Sequence, residues 1–327
     1  MRIPLYWAEA SAPALDRSRR QVTVNRWGWS DESPTAAQAH AQLRLDEALQ
    51  AYRRDPSVRA RESLRGYSGA DGTPICEEVL DTHGTAVLTR NAYGAHCLNT
   101  PNALFVDIDH PEPGSLRTWV DRLLGLLVFV LATLCVFALV RGKWVWAGGM
   151  VAAAVLLHAA HRFRLARRRE RQEPQALARV RDFFAARPDW GGRVYRTPAG
   201  LRVLVTHRPF DPLEPDTAAC FDALGADAIY RRMCERQRCF RARVSAKPWR
   251  AGVREHLPPS WSGRWPVPLK YADQRAVWVL EYDRVAKGFA ACHFLEALGH
   301  PFVDQAIQTT LDWHDDLSRA RGSLPMA

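Results

Sequence analysis

The chain has 327 residues, 24% of them charged and 47% hydrophobic, with no internal repeat or low-complexity tail, which excludes a repeat array. Its seven cysteines are odd in number and contain no CxxC, so they read as reduced thiols packed like small hydrophobes in preference to a zinc site. The net charge of +10 is concentrated: residues 141–171 hold eight basic residues against Glu170 alone, which makes the charge poor ground for nucleic-acid binding.

Gln21 to Trp29 alternates as a strand. Ser33-Pro34 then starts a helix, since serine caps and proline fits the first helical position. Ala36, Ala39, Leu43 and Leu49 carry that helix to about Tyr52. Asp55 to Asp71 is charged and rich in turn formers. Thr85–Arg90 and His96–Asn99 read as paired strands joined by the turn residues 91–94. Ala103 to Asp109, ALFVDID, reads as a buried strand, and a short helix over about Gly114–Arg122 leads onward.

Residues 123–140 are eighteen consecutive residues without a charge. Arg141-Gly142-Lys143 follows, then a second apolar stretch from Trp144 to Ala160 broken only by His158. At about 1.5 Å per residue each stretch is roughly 27 Å long, enough to cross a bilayer core. The pair predicts a transmembrane hairpin with the lipid bilayer as its partner. Eight flanking basic residues, Arg117, Arg122 and six arginines from Arg162 to Arg171, stand against two in the turn, which predicts that both flanks and both termini are cytoplasmic. The basic boundary is also suited to anionic lipid headgroups. No apolar run near Met1 is long enough for a signal peptide.

After the arginines, Pro174–Arg187 reads as a helix with Leu177, Val180 and Phe184 on one face. Arg193–Arg196 and Leu201–Thr206 form a hairpin across residues 197–200. Two helices flank Gly225, Cys239–Ser245 is an alternating strand, and Ala272–Leu298 reads as one long helix stopped at Gly299. The expected fold is α/β (α+β), a mixed sheet flanked by helices. Residues 1–118 and 163–327 form one cytoplasmic domain interrupted by the hairpin at 119–162.

The best candidate for chemistry is Asp107-Ile108-Asp109. Strand alternation puts both carboxylates on one face, roughly 6–7 Å apart along the backbone. Two such oxygen donors suit Mg2+ or Mn2+ shared with substrate phosphates. A strand that merely ends in polar residues is the plainer alternative. Two further elements supply cations. In Leu201–Thr206, Arg202 shares a face with Thr206. In Phe240–Ser245, Arg241, Arg243 and Ser245 share a face, with Lys247 and Arg250 directly after. Residues 231–254 hold nine basic residues and one acid, Glu235. Arg202, Arg241, Arg243, Lys247 and Arg250 are the candidate phosphate binders, and a solvated basic strand face is the alternative. His314-Asp315-Asp316 also has metal-binding residue types, although a polar helix face accounts for it as well. Arg90 and Asn91 either touch a ligand or close a turn.

Taken in order, an apolar strand ending in Asp107-x-Asp109, a glycine turn into a strand, and a basic strand resemble the archaeo-eukaryotic primase–polymerase superfamily over about residues 85–250. The resemblance implies a two-metal nucleotidyl-transfer site on an RRM-like sheet, with Asp107 and Asp109 on the metals and Arg241 and Lys247 on phosphates. Arg202 stands where that family has a histidine, and Asp222 and Asp227 are the only candidates for a third carboxylate. The expected function is a membrane-anchored, metal-dependent enzyme using a nucleotide or polyphosphate. The alternatives are a DxD-type glycosyltransferase using a sugar nucleotide and a non-catalytic anchored scaffold. Nucleic-acid binding separates the first two.

Overall fold

In the computed structural model, residues 1–16, 18–62, 74–110, 119–253 and 265–327 are described. In chain order the elements are β1 (Tyr6–Leu15), β2 (Gln21–Ser30), α1 (Pro34–Arg54), β3 (Glu78–His83), β4 (Ala86–Arg90), β5 (His96–Thr100) and β6 (Phe105–Asp109). Two long helices follow, α2 (Trp119–Val140) and α3 (Trp144–Ala185). Then come β7 (Gly191–Thr197), β8 (Gly200–Val205), α4 (Pro215–Leu224), α5 (Ala228–Gln237), β9 (Phe240–Arg243), α6 (Ala272–Ala286), β10 (His293–Gly299) and α7 (Gln305–Ser318). The mixed α/β class expected from the sequence is the one observed. The chain divides into two units. One comprises Met1–Ile108, Phe183–Pro198 and Arg202–Ala327; the other comprises Asp109–Asp182 and Ala199–Leu201.

The first unit opens with a local module. β1 and β2 pair antiparallel from Tyr6↔Ser30 to Leu15↔Gln21. The Ser33 hydroxyl accepts from the Ala36 amide at 3.1 Å and caps α1, with Pro34 at its start. Ala37, Ala41, Leu45, Ala48 and Tyr52 recur at helical spacing and form the buried stripe of α1. Val24 and Ala10 pack into the same core. Small residues set the helix against the strands: a Cβ on Gly28 would lie 2.1 Å from the Ala41 amide nitrogen.

Two four-stranded sheets complete the unit, with orders β10-β7-β8-β6 and β3-β4-β5-β9. The segments 104–106 and 201–205 are buried without alternation, so their sheet is covered on both faces. Gly225 ends α4 in the left-handed region at φ 71, and Asp227 caps α5 through the Tyr230 amide at 2.8 Å.

Three expectations are corrected. Ala272–Leu298 is not one helix: α6 stops at Ala286, and His293–Gly299 is instead strand β10, paired antiparallel with β7. The helix expected at Pro174 is not separate, because α3 runs unbroken through Pro174 to Ala185. Tyr6–Leu15 and Glu78–His83 are strands that the sequence reading passes over. The helix expected over Gly114–Arg122 falls mostly on residues 111–118, outside the described residues.

The second unit is helical. α2 and α3 are joined by Arg141-Gly142-Lys143, with Gly142 at φ 70. They touch where the Cys135 thiol donates to the Ala147 carbonyl at 3.6 Å. Among the described residues one helix segment, Trp144–His161, is long and apolar enough to cross a membrane. The expected pair of full spans is therefore corrected to one such segment, because the apolar run of α2, Gly125–Val140, is shorter. Side chains along both helices stand exposed, among them Phe129, Val136, Phe137, Val140, Trp144, Val145, Trp146 and Leu156.

The contact at Gly28 yields a first prediction. Gly28→Ala must push α1 off β2, and overpacking of this kind costs about 1–3 kcal/mol. A thermal melt of the variant should show a lowered midpoint for the first unit.

Candidate functional site

Strand β6 brings Asp107 beside Arg202 of β8. Arg202 is 2% exposed, and its Nε and Nη2 donate to Oδ1 and Oδ2 of Asp107 at 2.7 and 3.2 Å. Its third nitrogen, Nη1, donates to the Arg243 carbonyl at 2.9 Å, at the end of β9. Burial opposes the Arg202 charge, but Asp107 outweighs it and raises the guanidinium pKa. Nη1 also stands 3.4 Å from His314 Nε2 on α7. This fully buried helix residue packs its ring on Phe105 and Tyr195.

A second chain of contacts runs outward from His314. Its Nδ1 lies 3.2 Å from Asp315 Oδ1, and its Nε2 lies 3.9 Å from the Cys292 thiol. Asp315 accepts from the Tyr195 hydroxyl at 2.6 Å and pairs with Arg193 and Arg321. Burial pushes the His314 pKa down, yet Cys292 and Asp315 outweigh it, so the imidazole is raised above its ordinary value. Cys292 moves the other way: burial raises it, and His314 and Arg202 pull it below an ordinary thiol. Asp315 is opposed by burial and lowered by His314 and Tyr195. The sequence offered no signal for Cys292, a lone cysteine inside a stretch with helical periodicity.

The expected phosphate binders therefore divide. Arg202 is committed to Asp107. Arg241 is 5% exposed and donates to Glu77 Oε2 at 2.5 Å, where Glu77 also accepts from Thr89 at 2.6 Å. Arg243 is different. Its Nη1 donates to the Ser245 carbonyl at 2.6 Å and reaches an Ala327 oxygen at 3.5 Å. Burial, then Arg202, then Arg250 lower its pKa, so two neighbouring cations press on a partly buried third. Arg250 Nη1 is buried without a hydrogen-bond partner. Among the described residues neither Arg243 nor Arg250 has an Asp or Glu side chain in ion-pair contact. Lys247 is partly buried, with its ammonium 5.4 Å from the Trp249 ring centroid, and Trp249 in turn meets Tyr93 edge-on.

Asp109 is exposed at the end of β6 and belongs to the second unit, whereas Asp107 belongs to the first. Both Asp107 oxygens accept from Arg202, so a divalent cation there would compete with a bidentate guanidinium; the donors fit a metal poorly in this arrangement. Among the described residues no group of three His, Cys, Asp or Glu side chains is arranged to hold a metal ion. Asp222 pairs with Arg231, and Asp227 caps α5. Arg90 and Asn91 are structural: Arg90 clamps Asp283 at 3.0 and 2.9 Å, and Asn91 Oδ1 closes its turn on the Tyr93 and Ala95 amides. All seven cysteines are free thiols. No protein-family model, curated protein or solved structure matches the chain.

Two predictions follow from these ion pairs. Removing either Asp107 or Arg202 leaves its partner uncompensated, which costs about 3 kcal/mol when most of the pair is buried. Asp107→Asn and Arg202→Met should each lower stability by about that much, and the double variant should lose clearly less than the sum, as read by denaturant unfolding. Asp283 tests the acid limb. Burial opposes its ionisation, but His96 and Arg90 outweigh this and hold it at about 2. Its folded pKa is depressed, so its contribution is complete above the ordinary carboxylate value of about 4 and is lost as pH falls through about 2. Asp283→Asn should flatten the loss of stability across that window.

Proposed function

We propose that the chain is a membrane-anchored α/β domain that binds a phosphate-bearing ligand, a nucleotide or polyphosphate, at Arg243 and Arg250, with Lys247 and Trp249 alongside. The observation that carries this reading is a pair of partly buried guanidiniums, Arg243 and Arg250, that among the described residues have no Asp or Glu side chain in ion-pair contact. Burial, Arg202 and Arg250 press on the Arg243 charge more than Asp107 relieves it, so a further anion is favoured there. Phosphate oxygens match the guanidinium fork, and the neighbouring aromatic rings offer a face for a base. Anchoring is supported by the apolar side chains exposed along α2 and α3, a surface too extensive for water. A bilayer covers such a surface, and helices satisfy their own backbone there.

Chemistry at Asp107 is the finer part of the proposal. Metal-dependent nucleotidyl or sugar transfer would require Arg202 to yield the Asp107 carboxylate. The observed bidentate pairing favours a second reading, a non-catalytic anchored domain in which the Asp107 pair is structural.

The test is ligand binding by the detergent-purified full chain. Probes are ATP, a UDP-sugar and tripolyphosphate, each with Mn2+ or with EDTA. Arg243→Gln/Arg250→Gln should weaken binding more than tenfold, since each hydrogen bond to a charged group contributes about 1.5–3 kcal/mol. A far-ultraviolet circular dichroism spectrum and melting midpoint of the double variant matching the wild type separate ligand loss from misfolding. Absence of binding for every probe, or binding indifferent to the double variant, sinks the phosphate reading. Binding that survives EDTA leaves the non-catalytic version standing. Membranes bearing the chain should retain it through alkaline carbonate washing; its release would remove the anchor.

A further inference from the structure

The unbroken course of α3 has a chemical consequence at the end of its apolar segment. Trp144–His161 is the stretch long enough to cross a membrane. The same helix continues without a turn into Phe163, Arg164, Arg167 and Arg171. Positions 164, 167 and 171 are spaced i, i+3, i+7 and therefore share one helix face. Arg164, Arg167 and Arg171 are all exposed. None of the three has a carboxylate in ion-pair contact among the described residues. Arg167 stacks instead on Phe163, 4.8 Å from the ring centroid. Glu170, the one acid of this segment, stands i, i+3 from Arg167 at the edge of the stripe, so three cations face one carboxylate there.

At about 1.5 Å per residue, Arg164 to Arg171 stand roughly 5–15 Å past His161 along the helix axis. That interval is the headgroup layer of a bilayer whose hydrocarbon ends near His161. A row of unpaired guanidiniums at that depth faces lipid phosphates, and a planar fork binds a phosphate in two-pronged fashion. A zwitterionic headgroup carries its own ammonium; an anionic one does not. The opposite end of the segment offers only Arg141 and Lys143 in the turn.

We infer that Arg164, Arg167 and Arg171 form a binding face for the headgroups of anionic phospholipids in the leaflet at the C-terminal end of the apolar segment. This rests on the anchoring reading above and adds lipid selectivity to it. The sequence separates an apolar run from a later helix; only a continuous helix keeps the three arginines in phase beside the membrane boundary.

The full chain is reconstituted in phosphatidylcholine vesicles carrying a trace of spin-labelled phosphatidylglycerol or spin-labelled phosphatidylcholine. The protein-associated fraction of each label is measured. The wild type should associate with phosphatidylglycerol at least about fivefold more strongly than with phosphatidylcholine. The preference should fall towards parity in Arg164→Gln/Arg167→Gln/Arg171→Gln, and in 1 M salt, where screening shortens to about 3 Å. Glutamine keeps helix propensity, so the variant tests charge and not folding. Parity in the wild type, or a preference kept by the triple variant, overturns the inference. Carbonate washing of the same vesicles separates the two failures: a chain that is released fails the anchoring reading, and a retained chain at parity fails only this one.

Discussion

Arg202 is the constraint around which the first unit closes. A guanidinium that is 2% exposed must find a partner for each nitrogen, and it draws them from three places in the sequence: Asp107 on β6, the Arg243 carbonyl on β9 and His314 on α7. A buried ion pair adds little to net stability compared with a well-packed apolar pair, but breaking one side is costly. Its larger effect here is on register. A one-residue slip of β6 would turn Asp107 to the other face and leave the guanidinium unpaired. The Glu77–Arg241–Thr89 cluster acts in the same way in the other sheet.

Much of the architecture was legible. Periodicity found α1, β2, β4, β5, β6, the β7–β8 hairpin, α4, α5 and β9, because each carries its own signal in turn residues, caps or alternation. Where reading failed, pairing had overridden propensity. HFLEALG is composed of good helix formers, yet it pairs with β7 and becomes β10. β1, with its alanines and Pro13, has weak strand propensity and is held by its ladder with β2. α3 passes through Pro174 although proline removes a backbone donor.

The site was legible at the level of faces and not of partners. Alternation placed Asp107, Arg202, Arg241 and Arg243 correctly as polar residues within apolar strands. It treated each set as one chemical group. In the fold Arg202 and Arg241 are matched by distant carboxylates, Asp107 on β6 and Glu77 just before β3, whereas Arg243 and Arg250 have no Asp or Glu side chain in ion-pair contact among the described residues. That division depends on long-range pairing, to which a local pattern is blind. The Cys292–His314–Asp315 chain escaped for the same reason, since its members meet only when α7 packs over the sheet.

The position of the α2–α3 insertion also sets a timetable. β1, β2 and α1 are neighbours in sequence and can assemble as soon as they leave the ribosome. β5 and β6 cannot finish their sheets, because β9, β8 and β7 lie beyond the insertion. Asp107 waits for Arg202, and that pair waits for His314, roughly 200 residues later. At typical synthesis rates the interval is about 10–40 s. For that time two apolar strands have open edges beside a newly made hydrophobic helix, so the nascent chain has more need of a chaperone than the finished protein.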